Sequence, residues 1–249
     1  MTPTTLSVLC DGHRLSGGAE IAAEPKGLVL LLHGIPSVNP PEPGDTGYPG
    51  LARTFADEGW TAAWVDMRSV RGSQGNFSIE GWVRDAHAAL DAARTLEGAA
   101  GLPIAVVGSS AGGAVAAELA RRGAPIRALA LLAAPAMWVS FAGDPQDAVR
   151  RITEEAGMSL APEVLEDPSS WAAEFEGVAT ENSIVSVRVP TLIVHGTADD
   201  VVPVHHAQRI ADKAPNASLE IIEGAGHQLR RDPAAIRIVL EWLDRVLKR

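Results

Sequence analysis

The sequence holds one cysteine, Cys10, in 249 residues. That excludes an internal disulfide framework and a cysteine-rich zinc site. There is no H-E-x-x-H and no clustered set of ligands, so the pattern of a zinc hydrolase is missing as well, and no metal is expected. Basic residues are few: 21 Lys and Arg stand against 31 Asp and Glu, for a net charge of −10. A nucleic-acid footprint needs a basic face, so no nucleic-acid partner is expected. No apolar run approaches the roughly 20 residues that span a bilayer, and no membrane span is expected. The opening Met1-Thr2-Pro3-Thr4-Thr5 has no basic segment followed by an apolar stretch. No signal peptide is therefore expected, and the cytoplasm is the expected compartment. Gly224-Ala225-Gly226-His227 lacks the G-x-G-x-x-G spacing and the following βαβ unit of a dinucleotide site, and no cofactor is expected.

What is present is an ordinary globular composition, 46% hydrophobic and 21% charged. The length suits one large α/β domain or two small ones. Thr4 to Leu9 and Leu15 to Ala22 read as strands around the turn signal Asp11-Gly12-His13, an antiparallel hairpin. Gly27 to Leu32 is a continuous apolar run, as in a strand buried on both faces. A proline- and glycine-rich loop follows, from Ser37 to about Gly50. Helix Tyr48 to Glu58, strand Thr61 to Asp66 and helix Ile79 to Leu96 come next, the last with one apolar face. Pro103 to Val107, Ile126 to Ala133, Val189 to His195 and Leu219 to Ile222 are further strands. Helices follow at Gly113 to Arg122, from near Pro203, and at Pro233 to Leu247, where proline suits the first turn.

Strands alternating with helices imply an α/β fold: a mostly parallel eight-stranded sheet with an N-terminal antiparallel hairpin and helices on both faces. The stretch from about Met137 to Val187 breaks the alternation. It has no strand-like run and is too long for a bare loop, so it reads as a small helical cap. Its Trp138, Phe141 and Trp171 can pack as the core of that cap or line a substrate pocket; packing is the commoner use of buried aromatics.

The chemistry centres on Gly108-Ser109-Ser110-Ala111-Gly112, between a strand and a helix. G-x-S-x-G in that setting is the pattern of a nucleophile elbow. The turn is strained, and side chains two residues either side of the serine would collide with the neighbouring strand and helix. Ser110 has Gly108 and Gly112 at those positions; Ser109 would have Val107 and Ala111. A serine hydroxyl needs a histidine base, and the imidazolium needs an acid. Both should follow strands, because ligands of an open parallel sheet lie beyond its carboxyl ends. His195-Gly196-Thr197-Ala198-Asp199-Asp200 offers Asp199 or Asp200, and Gly226-His227 offers the base. The order Ser, Asp, His is the one expected. His195 reads as a locally packed strand end, His205 and His206 as solvated, and His33 as a shaper of the loop before Pro36. Oxyanion donors are expected from the Ala111 N–H and from the loop after Leu32, where Pro36 has no N–H and Ile35 comes first, then Gly34.

His33-Gly34, Gly108 to Gly112, His195-Gly196 with Asp199 and Val202-Pro203, and Gly226-His227 together resemble the α/β-hydrolase superfamily. The similarity is to its small serine esterase and serine aminopeptidase-like branch, and it spans most of the chain. In that family the motif resembling His-Gly-x-x-Asp-x-x-Val-Pro carries its acid at the first Asp, so the resemblance selects Asp199. The segment around Gly72 and Gly75 loosely resembles the family's Arg-Gly-x-Gly-x-Ser loop. The resemblance implies one α/β-hydrolase domain over residues 1–249 with a cap at about 137–187. It implies a cofactor-free serine hydrolase with Ser110, His227 and Asp199 as the triad and a small-molecule ester or acyl compound as substrate. Thioester or peptide cleavage, or a weakly active ligand-binding relative, are the alternatives. A second serine at position 109 and the long loop from Ser37 to Gly50 depart from the pattern.

Overall fold

The computed structural model describes residues 4–138, 141 and 143–247. Among the described residues ten strands form in chain order: β1 Thr4–Thr5, β2 Val8–Cys10, β3 His13–Leu15, β4 Gly17–Glu20, β5 Gly27–Leu32, β6 Trp60–Val65, β7 Ile104–Ser109, β8 Ala128–Leu132, β9 Thr191–Gly196 and β10 Ala217–Ile222. Eight of them make one sheet in the order β1-β4-β6-β5-β7-β8-β9-β10. From β6 to β10 every pairing is parallel; β1 and β4 join antiparallel at one edge.

The expected hairpin is split. Val8–Cys10 pairs with His13–Leu15 in a separate ribbon, turned by Asp11 and Gly12, both at positive φ. Two positive-φ residues give the tight turn whose twist suits a hairpin. The remainder of the expected strands, β1 and β4, joins the large sheet instead. Gly17 and Gly18 explain the break: a Cβ there would stand 2.6 Å from the Trp64 carbonyl and 2.5 Å from the Trp64 ring. Without side chains, β4 can lie tight against β6.

The central strands are buried on both faces, as their unbroken apolar runs require. Alternate residues feed two core layers. Leu28, Leu30, Leu32 and Val106 meet one layer, with Trp82 and Leu90 of α2 (Ile79–Ala93) and Val115 and Leu119 of α3 (Ala111–Arg121). Val29, Leu31, Ala105 and Val107 meet the other, with Phe55 of α1 (Gly47–Asp57) and Val239 and Trp242 of the last helix, Pro233–Val246. The Ser78 hydroxyl caps α2 by accepting from the Gly81 N–H at 2.9 Å. The α2 helix ends three residues sooner than its pattern suggests. There the Thr95 and Leu96 amides donate to Ala92 and Ala93, three residues back, and tighten the last turn. Asp232 caps the last helix through the Ala234 and Ala235 amides.

Between β8 and β9 the described residues form short helices: Pro145–Arg150, Pro162–Glu166, Ser169–Gly177 and Thr180–Ser183. This helical insert lies where the sequence loses its alternation; positions 139, 140 and 142 fall outside the described residues. It is tied to loops at the carboxyl ends of the strands. Val38 donates to the Glu155 carbonyl at 2.9 Å, and Phe77 to the Ser159 carbonyl at 2.8 Å.

Candidate active site

Register sets the site. Leu32 of β5 lies opposite Gly108 of β7, and Ser109 lies opposite Leu132 of β8. The loop after β5 and the turn after β7 therefore leave the sheet side by side. Ser110 is that turn, with φ 53° and ψ −124°, a conformation rare for a residue with a side chain. Its amide donates to Leu132 at 2.8 Å and its carbonyl accepts from Gly113 at 2.8 Å. The two glycines are required by contact. A Cβ on Gly108 would lie 2.2 Å from the Gly112 carbonyl, and one on Gly112 2.4 Å from the Leu32 carbonyl. Ser109 is buried.

Three side chains from three loops converge. The His227 Nε2 lies 3.0 Å from the Ser110 Oγ, and its Nδ1 lies 2.8 Å from the Asp199 Oδ2. A carboxylate only accepts, so His227 carries its proton at Nδ1 and presents a lone pair to the Ser110 hydroxyl. Asp199 Oδ1 accepts from the Val201 amide at 3.0 Å and the Val202 amide at 2.8 Å. The neighbouring Asp200 is exposed and makes no such contact with His227. Burial raises the Asp199 proton affinity, but hydrogen bonds from His195, His227 and the Val202 amide outweigh it and hold the carboxyl below the ordinary carboxylate range. Asp199 thus stays ionised beside His227.

Gly196 lets the two loops meet. A Cβ there would stand 2.1 Å from the Ala225 carbonyl, which itself accepts from the Ala198 amide at 3.0 Å. The His227 loop is seated on the end of β9 by that contact.

The loop after β5 runs against Ser110. A Cβ on Gly34 would lie 2.8 Å from the Ser110 Cβ and 3.3 Å from its Oγ. His33 holds this loop: its Nε2 accepts from the Met67 amide at 2.9 Å, so its Nδ1 carries the proton and donates to the Gly34 carbonyl at 2.8 Å. Burial lowers the His33 pKa to about 4, and the ring is neutral. Ala111 opens α3, and its N–H belongs to the first-turn amides that a helix leaves without an internal partner.

His205 is exposed as its sequence position suggests, but two other histidines differ from their sequence reading. His206 is half-buried rather than solvated, and its Nδ1 accepts from the Ala136 amide at 3.0 Å. Burial, then the nearby His205, lowers its proton affinity. His195 does more than pack: its Nε2 lies 2.7 Å from the Val202 carbonyl and 3.2 Å from Asp199 Oδ2. Only its place four residues before the acid could have hinted at this.

Trp138, Phe141 and Trp171 are all buried and gather around Phe175, with ring centroids 5.2, 4.8 and 5.1 Å from it. Trp138 Nε1 donates to the Val178 carbonyl at 3.1 Å. These contacts make an aromatic core for the insert. Among the described residues no group of three or more His, Cys, Asp or Glu could hold a metal ion, and no helix is long and apolar enough to cross a membrane.

An eight-stranded, mostly parallel sheet with a strained serine after its central strand, and a histidine on a loop beyond the last strand, defines an α/β-hydrolase. The family described as Serine aminopeptidase, S33 matches residues 23–179 and 172–234, and the chain belongs to it. Solved structures agree in fold. Est1E from Butyrivibrio proteoclasticus, with ferulic acid bound, superposes with a TM-score of 0.76 at 21% identity, covering 98% of this chain and 99% of that one. The esterase Pf2001 of Pyrococcus furiosus gives 0.72 at 20% identity, covering 99% and 93%. The meta-cleavage product hydrolase of Pseudomonas fluorescens IP01 gives 0.66 at 19%, covering 96% and 97%. By sequence, 65 residues are 43% identical to the polyketide synthase ThaQ of Burkholderia thailandensis, 25% of this chain but 3% of that protein. The chain thus spans a small fraction of that relative.

Proposed function

We propose that this hydrolase cleaves small carboxylic esters through an acyl-enzyme on Ser110. The hydrogen-bonded line from Ser110 Oγ through His227 to Asp199, at 3.0 and 2.8 Å, carries the proposal. In this reading Ser110 Oγ attacks the ester carbonyl carbon as its proton passes to His227 Nε2. Asp199 stabilises the imidazolium and keeps its tautomer fixed. The N–H groups of Ala111 and Ile35 receive the oxyanion, the two donors a tetrahedral intermediate needs. Collapse breaks the carbon–oxygen bond, and His227 returns the proton to the departing alcohol. Water then attacks the acyl-enzyme by the same route reversed, releasing the acid and restoring Ser110.

No cofactor takes part in these steps. The helical insert at about 137–187 acts as a cap in this reading. Trp138, Phe141 and Trp171 belong to its aromatic core, whose inner edge would bound the acyl group. The same machinery cleaves peptide bonds, which the description of the family favours as the second reading; comparing ester with amide substrates separates the two. The direct test is labelling with a fluorophosphonate followed by peptide mapping. The expected result is one adduct, on Ser110. A folded protein that takes no label, or is labelled elsewhere, would overturn the proposal.

A further inference from the structure

We propose that His195 is a positioning residue for Asp199 and, through it, for His227; this rests on Ser110, His227 and Asp199 being the reacting set. His195 is the penultimate residue of β9, and its side chain is fully buried. Its Nε2 faces two groups that can only accept: the Val202 carbonyl at 2.7 Å and Asp199 Oδ2 at 3.2 Å. The proton therefore sits at Nε2. Its Nδ1 is buried without a partner among the described residues.

The contacts close a ring. His195 Nε2 binds the Val202 carbonyl, the Val202 amide binds Asp199 Oδ1, and Asp199 Oδ2 faces His195 again. One imidazole thus ties the carboxylate to the far end of the turn that carries it. The two backbone amides hold Oδ1 but leave Oδ2, the oxygen that meets His227, to be fixed by side chains. His195 holds Oδ2 from one side while His227 binds it from another. The one Nε2 proton is shared unequally, the Val202 carbonyl at 2.7 Å being the nearer acceptor, and its weaker approach to Oδ2 at 3.2 Å makes that oxygen less basic, which favours the shared proton on His227. A ring that merely filled space would need no donor aimed at either acceptor.

The test is the rate of fluorophosphonate labelling of Ser110, per folded molecule, in His195→Leu and His195→Gln, each with Asp199 intact and with Asp199→Asn. A hydrogen bond to an ionised group is worth roughly a ten- to hundredfold factor. His195→Leu should slow labelling by about that much. His195→Gln, whose amide has two hydrogens for the two acceptors, should recover most of the rate. With Asp199→Asn already present, His195→Leu should cost little more, because the route through Asp199 is gone. If the leucine variant does not fold, His195→Asn, too short to span to the Val202 carbonyl, replaces it with the same expectation. A labelled His195→Leu at the wild-type rate, or an equal slowing in both backgrounds, would overturn the positioning role alone. A wild-type protein that takes no label would overturn the reading beneath it, and this role with it.

Discussion

Arg230, three residues after His227, forms a two-pronged ion pair with Asp45, with Nη1 2.9 Å from Oδ1 and Nη2 2.5 Å from Oδ2. The partners are 185 residues apart in the chain. Arg230 also lies over the Tyr48 ring, 5.5 Å from its centroid, and the adjacent Arg231 pairs with Glu42. The loop carrying His227 is thereby strapped to the loop that follows β5 and leads into α1. Two of the elements that meet at Ser110 are held to each other as well as to the sheet.

The strap should show in acid. Hydrogen bonds from Arg230 bring the Asp45 pKa to about 2 from an ordinary 3.8. The folded state therefore binds this proton more weakly than the unfolded chain. The stabilisation, about 2 kcal/mol, is fully present above pH 3.8 and lost as pH falls through about 2. Urea unfolding should find Asp45→Asn less stable than wild type at pH 7 by about that amount, with the gap narrowing below pH 3.

His33 should give a second, higher window. Burial lowers its pKa from 6.5 to about 4, so between those values the unfolded chain takes up a proton that the folded protein refuses. Stability is full above pH 6.5 and falls by about 3 kcal/mol as pH drops to 4. His206, also lowered by burial, adds in the same direction. In His33→Gln the slope of unfolding free energy against pH over this window should flatten, whatever the variant's starting stability.

Gly34 and Gly108 should separate activity from folding. A methyl on Gly34 would meet Ser110 itself, at 2.8 Å from Cβ. Gly34→Ala should cut ester turnover roughly a hundredfold by displacing the nucleophile or the donors beside it. Its melting temperature should fall by only a few degrees. A methyl on Gly108 would meet backbone at 2.2 Å, with no flexible group to yield. Gly108→Ala should lose about 1–3 kcal/mol of stability along with activity. Thermal unfolding and steady-state kinetics on both variants check the contrast.

Much of this was legible in the sequence because it is local. The spacing of Gly108 and Gly112 about Ser110 reports a turn that only glycine at those places permits. The unbroken apolar run from Gly27 to Leu32 reports a strand covered on both faces. Asp199 is singled out by a motif, and in the fold it is buried with its Oδ2 2.8 Å from His227 Nδ1. What could not be read depends on contacts between distant segments. The pairing of Arg230 with Asp45 has no local signature. The splitting of the N-terminal hairpin follows from where Trp64 lies above Gly17 and Gly18, which no pattern of alternation encodes. His195 looked like a strand end, because a histidine aimed at an acid four residues on has the same sequence as one that merely fills space.

Every step of the proposed ester cleavage depends on Ser110 being the nucleophile. That role is tested most directly by hydrolysis of p-nitrophenyl esters, from acetate to long acyl chains, by wild type and Ser110→Ala in parallel. Wild type should turn these esters over with one optimum of chain length, and a Ser110→Ala protein that remains folded should not. Full activity in that variant would contradict it.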